Sequence, residues 1–276
     1  MADEHTRNAV RAALAVTARL GLPEHVPEVL HERSNVLVRL GPVVARVPAT
    51  TALARPEPSA WLARDVAVSR FLTECGVRVI SPTTDPPAGP HFAAGLPVTL
   101  WHHTPHDPGH RYAPDTVAGS LAEVHAALRG FPGELPRRGP LDDLERILAR
   151  HGGAMDGAAP RLTAEAARIA AELPESGGRP LHGDAHPGNL IATPGGPCWL
   201  DFEDTWHGPL AWDLAILARQ GGSEYLAAYP GSVPESELGV CTRLRELFAV
   251  AWRYVIAKRF PHRLPEARTA LAAYFS

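Results

Sequence analysis

The sequence predicts an α+β chain in two parts, a small β-sheet with one main helix over residues 1–101 and a larger, mainly helical part over residues 102–276. Three observations predict it. Short β-branched runs separated by tight turns cluster in the first third of the chain. A stretch dense in His, Pro, Gly and Asp, from His102 to Pro114, reads as a hinge. Beyond it apolar residues recur at helical spacing, broken by a single hairpin pattern between Asn189 and Asp201.

Residues 3–20 are rich in Ala, Leu and Val and predict a helix that Gly21-Leu22-Pro23 stops. Residues 35–40 and 43–47 predict a hairpin, since only Gly41-Pro42 separates them. A Pro-rich link from Pro48 to Pro58 leads to a second helix over 59–75, whose Leu62, Val66, Ser69 and Leu72 share one face. Residues 77–80 and 96–101 predict further strands around a loop over 81–90. After the hinge, helices are predicted over 115–129, 141–151, 163–173, 211–219, 223–229 and 237–260. Residues 189–192 and 198–201 flank Thr193-Pro194-Gly195-Gly196-Pro197, which predicts the inserted hairpin.

Composition narrows the function classes. With 276 residues, 45% of them hydrophobic, the chain can bury a sizeable core. A formal net charge of -3 with no Lys/Arg run argues against a nucleic-acid binder and for a small-molecule partner. The start is acidic and no apolar stretch could span a bilayer, so membrane insertion and export are not expected. Cys75, Cys198 and Cys241 form no CxxC pair and predict reduced core thiols in a cytoplasmic protein. The one lysine, Lys258, lies near the carboxyl end.

The chemistry concentrates in Leu181-His182-Gly183-Asp184-Ala185-His186-Pro187-Gly188-Asn189 and Trp199-Leu200-Asp201-Phe202-Glu203. Asp184 and Asn189 stand in a D-x4-N spacing, and an Asp-Phe pair ends the predicted hairpin. Phosphoryl transfer needs this set: a carboxylate to orient the acceptor hydroxyl, and an amide oxygen and a second carboxylate to hold magnesium against phosphates. Asn adds an oxygen without adding charge beside an anionic triphosphate.

These segments resemble the catalytic core of the aminoglycoside phosphotransferase family, which also includes choline, homoserine and fructosamine kinases. His182, Gly183, Asp184, His186, Asn189, Asp201, Phe202 and Glu203 match its HGDxHxxN and DFD/DFE signatures, and Gly208-Pro209-Leu210-Ala211-Trp212-Asp213-Leu214-Ala215 resembles its GDPxxDLA segment. The resemblance implies a bilobal protein-kinase-like fold, with a nucleotide-binding N-lobe and a C-lobe that is catalytic and binds the acceptor. It implies Asp184 as catalytic base with His186 beside it, Asn189 and Asp201 as magnesium ligands with Glu203 in support, and His182 and Asp213 as braces of the loop. Where kinases pair a strand Lys with a helix Glu, this chain offers Arg46 and Asp65, an exchange that keeps a cation able to fork onto phosphate oxygens. Ser34 is the candidate phosphate contact in the turn before Asn35. The backbone around Leu100, His102 and His103 is the candidate contact for the base of ATP or GTP. His125 is expected to pack, and Trp206 to face a substrate.

Two rival readings use the same residues. His182, Asp184, His186 and Asp201 have ligand types suited to a zinc or iron hydrolase. The Arg46 and Asp65 exchange suits an inactive nucleotide-binding module. No GxSxG elbow supports a serine hydrolase. The acceptor, an aminoglycoside-like antibiotic or a metabolite, is expected between the catalytic loop and the helices after Asp213; there Arg245, Arg253, Lys258, Arg259 and Arg263 outnumber Glu246 and Glu266, which weakens the polycationic reading and leaves a neutral or anionic metabolite equally open.

Overall fold

The computed structural model describes residues 3–174 and 177–276. Its elements run α1 (Glu4–Arg19), β1 (Glu28–Glu32), β2 (Asn35–Leu40), β3 (Val43–Pro48), α2 (Thr50–Ala54), α3 (Pro58–Glu74), β4 (His91–Ala93), β5 (Leu96–His102), α4 (Pro114–Leu128), α5 (Gly139–His151), α6 (Ala159–Glu172), β6 (Arg179–Leu181), β7 (Leu190–Thr193), β8 (Gly196–Trp199), β9 (Trp206–Gly208), α7 (Ala211–Gly221), α8 (Ser223–Ala228), α9 (Glu235–Arg259) and α10 (Leu264–Tyr274). They form two compact units: Met1–His110 with Ile191–Glu203, and Arg111–Leu190 with Asp204–Ser276. The expected division at residue 101 is contiguous, whereas these units are not, because the hairpin segment folds with the first.

The first unit is an antiparallel sheet in the order β1-β2-β3-β5-β4. β3 is buried throughout, so its alternate side chains enter two different cores. Val43, Ala45 and Val47 meet Ala9, Ala12, Ala13 and Val16 of α1, whose small side chains let the helix lie close to the sheet. Val44 points the other way, into a cluster with Val66 of α3, Ala88 and Trp101. Arg46 shares the parity of Val44 and is carried towards the α3 side. On α3 the buried stripe is Leu62, Asp65, Val66, Ser69 and Leu72, so a carboxylate sits in a helix face that otherwise buries apolar groups. Burial on that face requires a partner for Asp65.

Residues 77–80, expected as a strand, make only isolated pairing with β8: the Ile80 amide donates to Trp199 O at 2.9 Å, and the Trp199 amide to Arg78 O at 3.1 Å. The β7–β8 turn is clamped by Thr193, whose Oγ1 donates to Gly196 O at 2.9 Å and accepts from the Gly195 amide at 3.2 Å. Cys75 caps α3 and is exposed, which corrects its expected place in the core; Cys198 and Cys241 are buried.

In the second unit α9 packs against α5, α6, α7 and α10. β6 and β9 pair antiparallel, with Leu181 opposite Trp206. The chain leaves β6 directly into residues 182–189. No helix among the described residues is long and apolar enough to cross a membrane.

Candidate active site

In the first unit, Arg46 gathers carboxylates. Its side chain is 7% exposed, and Nη1 lies 2.9 Å from Asp65 Oδ2 while Nη2 lies 2.5 Å from Asp201 Oδ1 and 2.8 Å from Glu203 Oε2. Burial works against the charge of Arg46, but Asp201, Glu203 and Asp65 outweigh it and raise the guanidinium's hold on its proton well above the ordinary value. The expected Arg46–Asp65 pair is therefore formed, and it extends further than the pair alone. Asp65 Oδ1 also accepts from the Phe202 amide at 2.9 Å, which fixes the backbone beside Asp201. Asp201 itself has φ +71°, a left-handed conformation that a short polar side chain tolerates better than most.

Three neighbours of this cluster were not singled out from the sequence. Arg55 Nη1 reaches Glu203 Oε1 at 3.2 Å, and Arg64 Nη1 donates to Glu203 O at 2.8 Å. Asn35, turned so that both its polar atoms are satisfied, accepts from Arg46 Nη2 at 2.8 Å and donates to Thr51 Oγ1 at 2.8 Å. Arg55 and Arg64 lie in and after a Pro-rich link with no pattern to mark them; Asn35 was visible only as the residue after Ser34. Ser34 ties the turn down through its carbonyl, which accepts from the Ala49 and Thr51 amides at 3.2 and 3.1 Å.

A cleft in the first unit is walled by Leu30, Leu37, Val44, Ile80, Trp101, Ile191 and Leu200, with Arg46, Asp65 and Asp201 also on its lining. His102, His103, Thr104 and His106 line it as well. Leu100 does not. The Leu100 amide donates to Ala88 O at 2.9 Å and its carbonyl accepts from the Thr83 amide at 3.0 Å, so the connection before β4 occupies this backbone. The amides of His102 and His103 are likewise bonded, to Ser81 O and Pro42 O. The backbone expected to meet a base is thus already bonded within the chain at Leu100, and so are the amides of His102 and His103.

In the second unit, Asp213 organises the loop. It lies in the first turn of α7, fully buried, and accepts from the His182 amide at 2.8 Å and the Gly183 amide at 3.0 Å. A carboxylate there is also favoured by the helix N-terminus. His125 Nε2 donates to Asp213 Oδ2 at 2.8 Å, and His125 Nδ1 accepts from Tyr229 OH at 2.8 Å. His125 therefore orients Asp213 rather than merely packing. Trp212 Nε1 donates to Gly183 O at 2.8 Å. Gly183 has φ +91°, and a Cβ there would lie 1.9 Å from Asp204 O, so only glycine fits.

This scaffold presents Asp184. Its amide donates to Nδ1 of the fully buried His182 at 3.3 Å. Its Oδ1 lies 2.7 Å from Arg245 Nη2 on α9, and its Oδ2 lies 3.4 Å from His186 Nε2. His186 Nδ1 accepts from the Gly188 amide at 3.0 Å, which leaves Nε2 as the protonated nitrogen facing Asp184. Asn189 Nδ2 donates to Asp184 O at 3.0 Å, so its side-chain oxygen remains the acceptor of that amide. Burial pushes the Asp184 carboxyl up, but the charge of Arg245 and the hydrogen bond from His186 outweigh it and hold the group well below the usual carboxylate range. Arg245 had no local signal, since 61 residues separate it from Asp184.

Trp206 is 3% exposed and meets Trp212 edge-on at 5.9 Å, which makes it core and corrects its expected place against a substrate. Among the described residues no three His, Cys, Asp or Glu side chains group as a metal site, and His182 Nδ1 accepts from the Asp184 amide.

Residues 25–247 match the model of the phosphotransferase enzyme family. Similar solved structures include an aminoglycoside-3′-phosphotransferase of type VIII, 18% identical, with a TM-score of 0.65 over 89% of this chain and 100% of that one. Amicoumacin kinase hAmiN, in complex with AMP-PNP, Ca2+ and Ami, is 14% identical with a TM-score of 0.65, covering 94% of this chain and 92% of its own. A choline/ethanolamine kinase family protein from Mesorhizobium loti is 18% identical with a TM-score of 0.60, covering 98% and 95%. None of the curated proteins matches the chain. At such identities the likeness establishes the protein-kinase-like fold class, here with an antiparallel sheet in the first unit and a mainly helical second unit.

Proposed function

The chain belongs to the phosphotransferase enzyme family, and from that premise we propose that it moves the γ-phosphoryl group of a nucleoside triphosphate to a hydroxyl group of a small molecule. The observation that carries this reading is Asp184, a carboxylate 21% exposed, held between Arg245 and His186 on a loop that Asp213 pins through two backbone amides.

The nucleotide, ATP or GTP, is assigned to the first unit's cleft. Its apolar walls suit a base, and Arg46 supplies a guanidinium suited to phosphate oxygens. The nucleotide analogue bound to amicoumacin kinase supports the assignment. Asp201 and Glu203 of the first unit are the groups proposed for Mg2+, and the side-chain oxygen of Asn189 is the donor of that kind in the second. They fit by donor chemistry, since all are hard oxygen ligands, and Asp201 keeps its carboxylate 27% exposed. Bound magnesium supplies charge neutralisation for the phosphates.

Asp184 remains ionised at neutral pH and accepts a hydrogen bond from the acceptor hydroxyl, aiming its oxygen. A carboxylate with so weak a hold on protons is a poor base at equilibrium. That suits a loose transition state, in which bond formation to the nucleophile lags and the hydroxyl gives up its proton late. His186, donating from Nε2, holds the carboxylate in place.

The test is nucleotide consumption with Mg2+ over a panel of aminoglycosides, amino alcohols, sugars and hydroxy acids. Asp184→Ala is expected to lower kcat by roughly 10²- to 10⁴-fold while leaving nucleotide affinity unchanged. Asp201→Ala is expected to lose metal-dependent nucleotide binding as well. Full activity of Asp184→Ala on a verified acceptor would overturn the assignment.

A further inference from the structure

We propose that Arg245 is a specificity-determining residue: its guanidinium, seated against Asp184, selects acceptors that carry a carboxylate or phosphate beside the reacting hydroxyl. This rests on the function proposed above, because it places the acceptor hydroxyl at Asp184.

Geometry carries the inference. A hydroxyl that donates to Oδ2 of Asp184 shares its carboxylate with Arg245, whose Nη2 stands 2.7 Å from Oδ1. A guanidinium has five N–H donors in a planar fork, and Asp184 engages it through one terminal nitrogen. Arg245 Nε is buried with no hydrogen-bond partner among the described residues, and the side chain keeps 16% of its surface exposed. The rings of Trp212 and Phe248 lie 5.9 Å from its guanidinium carbon, so the head is held in place rather than left to swing.

The wider field has the same sign. Burial and the positive charges of Arg245 and Arg253 lower the proton affinity of Arg219, with Glu246 the opposing charge. Arg253 is itself 3.1 Å from Glu266, an ion pair that offsets its charge. A polycationic acceptor would bring ammonium groups against Arg245 and would find Asp184 already neutralised. An acceptor with its own carboxylate or phosphate gains a charge-assisted, forked contact instead.

Two measurements test this in the full chain, on wild type, Arg245→Gln and Arg245→Lys. The first is ligand-detected NMR binding of D-gluconate against D-glucose, D-glycerate against glycerol, and kanamycin as the polycation. The second is Mg2+-dependent consumption of ATP and GTP with the same probes, with Asp184→Ala as control. In wild type the anionic member of each pair is expected to bind about 10- to 100-fold more tightly than its neutral partner, the range of a hydrogen bond to a charged group. Arg245→Gln should erase that preference by weakening the anion alone, and Arg245→Lys should keep part of it. Circular dichroism melting confirms that the variants fold, and the lysine variant carries the test if the glutamine variant does not.

The outcomes separate. An anion preference that Arg245→Gln erases, without Asp184-dependent turnover, upholds the Arg245 site and overturns the transferase reading. Turnover in which the anionic probes are no better than their neutral partners, in wild type and Arg245→Gln alike, overturns the Arg245 site and upholds the transferase. Kanamycin binding more tightly than gluconate also overturns the Arg245 site.

Discussion

Each unit holds one of the two carboxylates on which the proposed chemistry rests, and each carboxylate is held by an arginine, but the two arginines are not alike. Arg46 in the first unit is 7% exposed and faces Asp65, Asp201 and Glu203 together. Arg245 in the second is more than twice as exposed and has Asp184 as its ion-pair partner. Shared among three carboxylates, a buried guanidinium first sets where the acids stand, and without it their charges are stranded; a phosphate would meet it as one partner among several. A guanidinium with one carboxylate and part of its surface in solvent is instead available to something that arrives. The difference follows from position. β3 is a central strand, so Arg46 is committed to a core face, whereas α9 presents Arg245 beside a loop.

The largest consequence is for stability. Arg46→Met leaves buried carboxylates without their cation, and breaking a buried pair in this way costs about 3–5 kcal/mol. Arg245→Met removes a partly exposed contact and is expected to cost clearly less. Urea melts of the two variants, run side by side with wild type, check the order. Equal losses would erase the distinction between the arginines. Arg46→Lys should fall between wild type and Arg46→Met, because an ammonium keeps the charge but cannot fork onto several acids.

The same contrast explains what the sequence could show. Asp184, Asn189, Asp201 and Asp213 lie in short segments whose spacing is set by one turn or one hairpin, so their pattern survives in one dimension. Arg46 was reachable by elimination, since strand alternation and a single distant lysine left it as that strand's cation. Arg245 comes to Asp184 from the middle of a 25-residue helix, and nothing local marks it among the other arginines there. The fold shows the same limit. β1 was missed because all five of its residues are exposed, leaving no alternation to read. β4, β6 and β9 have three residues each, too few for a period. Residues 77–80 have the composition of a strand but are used for two backbone bonds to β8.

A smaller effect, in pH, probes the second arginine alone. The folded state holds the Asp184 carboxyl below its unfolded value of about 3.9, through Arg245 and the neighbouring His186 and His182 and in spite of burial. A depressed carboxyl contributes stability that is fully present above the unfolded value and lost as pH falls towards the folded one. Arg245→Met removes the main cause of the depression and leaves the burial that opposes it. The gap in Tm between wild type and Arg245→Met is therefore expected to be widest above about pH 5 and to close below about pH 4. A gap that stays constant from pH 3 to 8 would mean that Arg245 stabilises by packing alone.

The finest test reads the two units separately through their thiols. Burial pushes the Cys198 thiol in the first unit up to about 11 and the Cys241 thiol in the second up to about 12, so neither is reactive while its surroundings stay closed. Cys75 is exposed and serves as the fast internal reference. In the native protein a thiol reagent should modify Cys75 alone at first, with the other two following at rates set by local opening. Arg46→Met loosens the acids next to β8 and should speed Cys198 labelling more than Cys241 labelling. Arg245→Met acts on α9, which also carries Cys241, and should do the reverse by a smaller factor. Mass spectrometry of timed samples gives both rates from one experiment. Parallel acceleration of the two thiols in either variant would show that each arginine stabilises the whole chain rather than its own unit, and the contrast between them would then be one of degree only.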